Sequence, residues 1–439
     1  MKFLIQRKNQ IITSLILALF SALSFIACLK FAQNLDYTLR TDALNYHTTA
    51  INLIEKSYFG YLSDVPNAYI TPLYPLFLAL IYKIFGSYSI FNVQIIQSLL
   101  FIASGILTYF IIKMVVESSM RAERSNPATF KINIFAIFGA CVFLSYPPFI
   151  SAAIQLLTET LYVFFFLLYL FFVIKYLVGD DGNRPDGRTK ARPYINITAG
   201  ALFAIAALIR PTLFPLLFLP YLIALLQQMY EKKRFAKANQ QQLFIINYSL
   251  LIKDFLWYSL AITLIMLPWW LRNIIVLGEF IPLATQGGNP LLHGTFPYMN
   301  GIETYVLPAN TTETAAGISR IIGGFLAQPL LYLKWFTIGK FNMIFYNIWY
   351  YLPGDGFAQG IPYFNDFLKI IHYGIVSLGF TGIIYGLFNK KMLFISAFTI
   401  LIICAHLLVI PTERYAITII PLLIIASCWL LSRIKNLNE

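Results

Sequence analysis

"PLYPLFLALIYKIF", residues 72–85, is the stretch on which the fold turns. A helix needs about 20 apolar residues to cross a hydrocarbon core roughly 30 Å thick. This run is shorter and opens with Pro72 and Pro75. It therefore reads as a juxtamembrane helix lying on the outer face of a bilayer. Outward from it, apolar runs of spanning length fall at 11–31, 90–116, 132–150, 158–178, 194–209, 211–228, 254–272, 365–388, 392–410 and 416–432. With 72–85 lying flat, the amino terminus and the segments "ESSMRAERSNPATFK", "GDDGNRPDGRTKARPY", "YEKKRFAKANQ", "NKK" and "SRIKNLNE" share one side. That side is basic, and short basic loops mark the cytoplasm. If 72–85 crossed, the first of these loops would land outside and the others would keep no consistent side. The expectation is about ten transmembrane helices with both termini cytoplasmic.

Composition agrees. Of 439 residues 59% are hydrophobic and 12% charged, which excludes a soluble domain with a polar surface. The net charge of +13 sits mostly in the short loops, so it speaks for topology and against nucleic acid. Cys28, Cys141, Cys404 and Cys428 lie in apolar segments without paired spacing, so neither disulfides nor zinc are indicated. Lys2, Arg7 and Lys8 precede the first apolar run as in a signal peptide, and "FIAC" at 25–28 hints at lipoprotein cleavage. Phe25 stands three before the cysteine, however, the run is long enough to span, and Lys30 follows as an anchor. An uncleaved first helix is expected.

Two long outer loops remain, 32–89 and 273–365, and loops of that length are usually functional. In the second, "IPLATQGGNPLLHGTFPYMNG" reads as an ordered loop and "FTIGKFNMIFYNIWYY" as an aromatic interfacial helix. No repeat at a fixed period is visible, which gives an inverted-repeat transporter no support.

The polar residues near the outer boundary gather in this setting. In "RTDALNYHTTA", 40–50, Asp42 begins a helix with Tyr46 one turn on and Thr49 a further turn along the same face. Taken alone, Thr41 or Asp42 reads equally as a helix cap. Glu159 in "LLTETLYVFFF" opens the helix from 158, where an acid also complements the helix dipole. Arg210, Arg272 and Arg414 map to outer helix ends, each within a few residues of a proline. One such arginine is an ordinary interfacial anchor. Three on the non-basic face run against the charge trend, and arginine's planar donors suit phosphate. An anionic lipid headgroup is the physical expectation.

These landmarks resemble a family. "DALNYHTTAINLIEKSYFGY", "TPLYPLFLALIYKIFGSYS", "LTETLYVFF", "GALFAIAALIRPT", "LPWWLRNIIVLGEFIPLATQGGNPLLHG" and "ERYAITIIPLL" look like the ordered landmarks of GT-C glycosyltransferases, over nearly the whole chain. The resemblance is to bacterial relatives of protein O-mannosyltransferases and of the aminoarabinose transferases that modify lipid A (glycosyltransferase family 39-like). It implies an all-α integral membrane GT-C fold, a polyprenyl-phosphate sugar donor, and a site at the periplasmic face of the bacterial inner membrane. By matching position it implies Asp42 as the catalytic acid facing the acceptor, with Arg210, Arg272 and Arg414 as phosphate candidates. Tyr46, Glu159, Asn289, His293 and Tyr415 join them as substrate-binding candidates, with Tyr298 near His293. His293 reads equally as a partly buried histidine in an ordered turn. Two departures stand out: Ala43 follows Asp42 where some relatives have a second acid, and some relatives carry a soluble carboxy-terminal domain after the last helix. The acceptor is therefore not inherited.

The chemistry fits the residue types. An acceptor hydroxyl needs a base, which a carboxylate supplies. A lipid phosphate leaves as an anion and needs charge stabilisation. One-step attack inverts the anomeric centre without a second carboxylate nucleophile. His47, His372 and His406 show no ligand spacing, so no metal site is expected, although dependence on a divalent ion stays open because such ions gather several oxygen ligands. His406, Gln94 and Gln97 lie within helices, where polar side chains bond to neighbouring helices. A transporter would place its polar residues at mid-bilayer with broken helices. A polysaccharide polymerase or ligase using lipid diphosphates would also need outer arginines and is the nearest alternative. The resulting expectation is a single transmembrane domain over 1–439, acting on membrane lipid and a glycan, glycolipid or protein acceptor.

Overall fold

The computed structural model describes residues 2–34, 39, 41–62, 64–122, 129–178, 192–237, 248–350 and 363–434. Parts of the basic segments after the spans at 90–116, 158–178, 211–228 and 416–432, and part of the second long loop, lie outside these residues. Among the described residues the structure is helical, with no strand. Before the first long loop stands α1 (Lys2–Gln33), and the loop itself carries α2 (Thr41–Glu55) and α3 (Leu73–Phe85). There follow α4 (Ile90–Ala122), α5 (Thr129–Ser145), α6 (Pro147–Ile154), α7 (Thr158–Val178), α8 (Arg192–Ile209), α9 (Leu219–Lys237) and α10 (Tyr248–Leu277). The second loop holds α11 (Gly288–Gly294), α12 (Glu313–Ala327), α13 (Pro329–Lys334) and α14 (Lys340–Phe345). The chain closes with α15 (Phe364–Gly386), α16 (Leu393–Leu408) and α17 (Ala416–Ile434).

Among the described residues seven helices are long and apolar enough to cross a membrane, and α5 with α6, bent by 51° at Tyr146 and Pro147, makes an eighth if the pair is one span. The segment 72–85 is a short helix, as its length and prolines predict. Two of the ten expected spans, α8 and α16, fall short of the others. Proline stops both. Arg210 is extended (φ −141°, ψ 122°) ahead of Pro211, and Val409 is extended (φ −104°, ψ −177°) two residues before Pro411. A proline's ring disfavours the helical conformation of the residue before it, Arg210 at the end of α8 and Ile410 just past α16. Both breaks leave the chain at the end of the bundle that carries the two long loops, hereafter the loop face. The stretch 336–351, read as one aromatic helix, divides instead into a π-helical turn at Trp335–Gly339, α14 and a non-helical stretch from 348 to 350.

The central helix is α17, whose spanning window is 89% buried, packed among α15, α5, α4 and α7. Close approach there depends on glycine. A Cβ on Gly382 of α15 would stand 2.4 Å from the carbonyl oxygen of Ala426, and one on Gly379 2.6 Å from Leu423 Cβ. α1 lies at the rim, with Leu15, Leu19, Leu23 and Ile26 exposed where lipid would cover them.

Hydrogen bonds between distant segments gather the loop face. Thr71 Oγ1 donates to the carbonyl of Ile209 (2.8 Å), tying α3 to the end of α8. The amides of Thr285 and Gln286 donate to the carbonyls of Ala68 and Tyr69 (2.9 and 3.2 Å), so the second loop docks on the first. The amide of Ile410 donates to Pro290 (2.8 Å), and fully buried Lys340 donates to the carbonyls of Leu407 and Val409 (2.8 and 3.1 Å). Burial pushes the Lys340 ammonium down to about 7. A neutral amine keeps two N–H donors, enough for both carbonyls. This knot holds the extended chain after α16, and with it Arg414, against the second loop.

The glycine contact yields a test. Gly382→Val should lower the unfolding temperature of the detergent-solubilised protein, with a cost of about 1–3 kcal/mol for overpacking. Gly374 of the same helix has no atom within 4 Å of its Cβ position, so Gly374→Ala should be neutral or slightly stabilising. Equal effects from the two substitutions would refute the α15–α17 contact.

Candidate active site

Four charged residues from four separate segments converge at the loop face. Glu159, in the first turn of α7, is fully buried. Its Oε1 accepts from Arg210 (2.6 Å) and from the Nε of Arg414, and its Oε2 accepts from Nη2 of Arg414 (3.3 Å). Arg414 also reaches outward, where Nη1 donates to Oδ2 of Asp42 (2.8 Å). The order Arg210, Glu159, Arg414, Asp42 alternates in sign and balances in charge. It runs from the protein interior, where the Arg210 side chain is 10% exposed, to Asp42, which is 40% exposed.

Local chemistry fixes each member. α7 begins afresh at Thr158 because α6 ends at an extended Gln155. Two glutamines of α4 satisfy the carbonyls that this break leaves open: Gln94 donates to Ile154 (2.7 Å), and Gln97 to Ala153 and Gln155 (3.0 and 2.7 Å). Gln97 in turn accepts from Tyr74 of α3 (2.7 Å). Pro211 ends α8 at Arg210, and Pro411 precedes the short turn Glu413–Tyr415 that carries Arg414. Thr41, just before Asp42, adopts φ +48°, a left-handed conformation costly for a β-branched residue.

A carboxylate removed from water is costly unless paired and hydrogen-bonded. Glu159 has two guanidinium groups around it, and Arg210 gains a further bond to Thr158 (3.3 Å) and the face of Tyr415 (5.7 Å). His406 lies edge-on to Tyr415 (4.9 Å between ring centres), with Nδ1 2.7 Å from the carbonyl of Ile402. Tyr46 stands against Tyr74 (5.0 Å). Burial, then the Asp42 charge, holds the Tyr46 phenol above its ordinary value, so it stays protonated and offers no base.

The remaining candidates sit elsewhere on the same face. Arg272 lies apart from the four. It donates to the carbonyls of Asn67 and Phe59 (3.1 Å each) and to Asn273 Oδ1 (2.9 Å), beneath the rings of Phe59 and Trp269. Its hydrogen-bond partners are uncharged oxygens. It lines an apolar groove of about 470 Å3 with Leu53, Leu76, Leu208, Ile265 and Trp269. Asn289 donates to Glu313 (3.1 Å) within the second loop. His293, partly buried on α11, carries no side-chain hydrogen bond among the described residues, and its helix lies beside the chain at 409–410. Tyr298 is exposed.

Thr158 and His406 complete the cluster, and sequence reasoning had not assigned them to it. No spacing signals their part, since the partners of Glu159 lie 51 and 255 positions away. His47 bonds to Tyr82 (2.7 Å), and His372 lies between Tyr146 (2.6 Å) and the carbonyl of Phe345 (2.8 Å).

No family model matches the chain, and no curated protein matches it. Solved structures do. The crystal structure of the oligosaccharyltransferase of Archaeoglobus fulgidus in its apo form aligns with a TM-score of 0.51 and 11% identity, over 96% of this chain and 50% of that one. The crystal structure of the same enzyme in complex with zinc and sulfate aligns with a TM-score of 0.50 and 13% identity, over 95% and 49%. The chain thus spans about half the length of these proteins. Likeness at this identity carries the fold, which is an all-α membrane fold of the GT-C type.

A metal ion such as the zinc of that complex does not fit the residues gathered here. Among the described residues no group of three or more His, Cys, Asp or Glu side chains could hold one. Between the two acids that do approach, Asp42 and Glu159, stands the guanidinium of Arg414.

Removing the central acid gives the test of this array. Glu159→Ala leaves two cations without their shared partner in a water-poor interior, and should destabilise the protein by about 3–5 kcal/mol. Chemical or thermal unfolding in detergent measures it, and wild-type stability in the variant would show that the array contributes nothing to the fold.

Proposed function

We propose that the protein is a membrane glycosyltransferase that moves a sugar from a polyprenyl-phosphate donor to a hydroxyl acceptor, with inversion. The carrying observation is the separation of two sites on one face. A partly exposed carboxylate, Asp42, stands beside a charge-balanced array, and an arginine bonded to uncharged oxygens, Arg272, stands at an apolar groove. The groove suits a polyprenyl chain, and the guanidinium suits its phosphate. The likeness of the chain to an archaeal oligosaccharyltransferase and the resemblance of its landmarks to the O-mannosyltransferase and aminoarabinose transferase relatives support the same reading. In this reading the loop face is periplasmic and the membrane is a bacterial inner membrane. Asn289, His293 and Tyr415 stay candidates for contact with sugar or acceptor.

The chemistry follows from the residues. The acceptor oxygen attacks the anomeric carbon from the side opposite the phosphate. Its proton passes to a carboxylate oxygen of Asp42 as the carbon–oxygen bond to phosphate breaks. The bonding pair leaves with the lipid phosphate, whose charge Arg272 stabilises. Surroundings divide the work among the three arginines: Arg210 and Arg414 already hold carboxylates, so phosphate falls to Arg272.

Binding and turnover of a polyprenyl-phosphate hexose, with the same lipid lacking phosphate as control, test the proposal. Asp42→Asn should keep phosphate-dependent binding while turnover drops roughly a hundredfold or more. Arg272→Ala should weaken donor binding roughly tenfold to a hundredfold, the range for a lost charge-assisted hydrogen bond. A wild-type protein that binds the lipid equally well with and without phosphate would overturn the assignment.

A further inference from the structure

The array contains one acid and two arginines that the transfer chemistry does not use directly. Glu159 is fully buried and has both oxygens bonded to arginines, so it has no exposed surface for substrate. Arg414 spends Nε and Nη2 on Glu159 and Nη1 on Asp42. Among the described residues Asp42 is bonded through Oδ2 only, leaving Oδ1 open on a side chain 40% exposed. The planar fork of arginine suits a bridge between two carboxylates at fixed angle, which a lysine ammonium cannot reproduce.

We propose that Arg414 is the positioning residue of the reaction: gripped by buried Glu159, it fixes Oδ2 of Asp42 and leaves Oδ1 to the acceptor hydroxyl. It stands where a divalent cation would bridge two carboxylates, so the centre works without one. Glu159 acts only through Arg414, and Arg210 supplies the second positive charge that lets Glu159 stay ionised in the interior. This role rests on the glycosyltransferase reading. It departs from a phosphate role for Arg414, because a guanidinium whose donors are committed to two carboxylates presents little net positive potential to an anion.

The test is kinetic, on the full chain in lipid nanodiscs, with a polyprenyl-phosphate hexose as donor and water as the acceptor. In Arg414→Gln, Glu159 keeps Arg210, so the interior anion stays paired. We expect kcat to fall roughly a hundredfold with donor KM nearly unchanged. Arg414→Lys keeps the charge but not the planar fork, and kcat should fall only roughly tenfold. Chelation with EDTA should leave wild-type turnover unchanged.

A rise in donor KM at constant kcat in Arg414→Gln would make Arg414 a phosphate contact and overturn the proposal. So would turnover lost to EDTA and restored by a divalent ion. A second measurement needs no substrate: the unfolding temperatures of Asp42→Asn, Arg414→Gln and the double variant. Additive shifts would remove the pairing itself. Coupled shifts in a protein that never turns over the donor would preserve the pairing, sink the glycosyltransferase reading and take the positioning role with it.

Discussion

A carboxylate with no access to water sits at the loop face of this bundle, and much of that face is arranged around it. Glu159 remains ionised only if cations reach it through the protein. Arg210 arrives from the end of α8 and Arg414 from the turn before α17, so one acid fixes the relative positions of three helix ends. Each approach needs a helix to stop where the arginine begins. Pro211 and Pro411 supply two of those stops, and the break after α6 supplies the third.

The same demand explains the buried amides nearby. A helix break inside a bundle leaves carbonyls that water cannot reach, and these must find donors. Gln94 and Gln97 supply them for α6, and Lys340 supplies them for the end of α16. Gln97 also accepts from Tyr74, whose ring meets Tyr46 one turn from Asp42. Hydrogen bonds and one edge-on ring contact thus run from the break that frees Glu159 to the helix that carries Asp42. The two acids are held to each other twice, directly through Arg414 and indirectly through the capped break.

Surroundings separate arginines that look alike as residues. Arg210 and Arg414 are neutralised by acids, while Arg272 bonds to uncharged oxygens next to an apolar groove. A guanidinium already paired with carboxylate attracts an anion weakly, because the net charge it presents is small. This physical difference, and no difference in sequence context, divides the array proposed to orient a base from the cation proposed for a lipid phosphate.

The sequence by itself determined the helical membrane class, the short helix at 72–85 and the gathering of charged residues at one end of the helices. These follow from length, hydropathy and proline, which act within a few residues of where they stand. It also singled out Asp42, Glu159, Arg210, Arg272 and Arg414 one by one, since charges at apolar boundaries need a reason. It read 194–209 and 392–410 as spans, although α8 and α16 are shorter than the helices around them, because hydropathy reports how apolar a run is and not whether it crosses. Only the tertiary structure decided which charge meets which. Glu159 and Arg414 are 255 positions apart, and nothing local in either segment encodes the other. Pairing at such range is fixed by the packing of whole helices, and it set Arg414 beside Asp42 and left Arg272 to the groove.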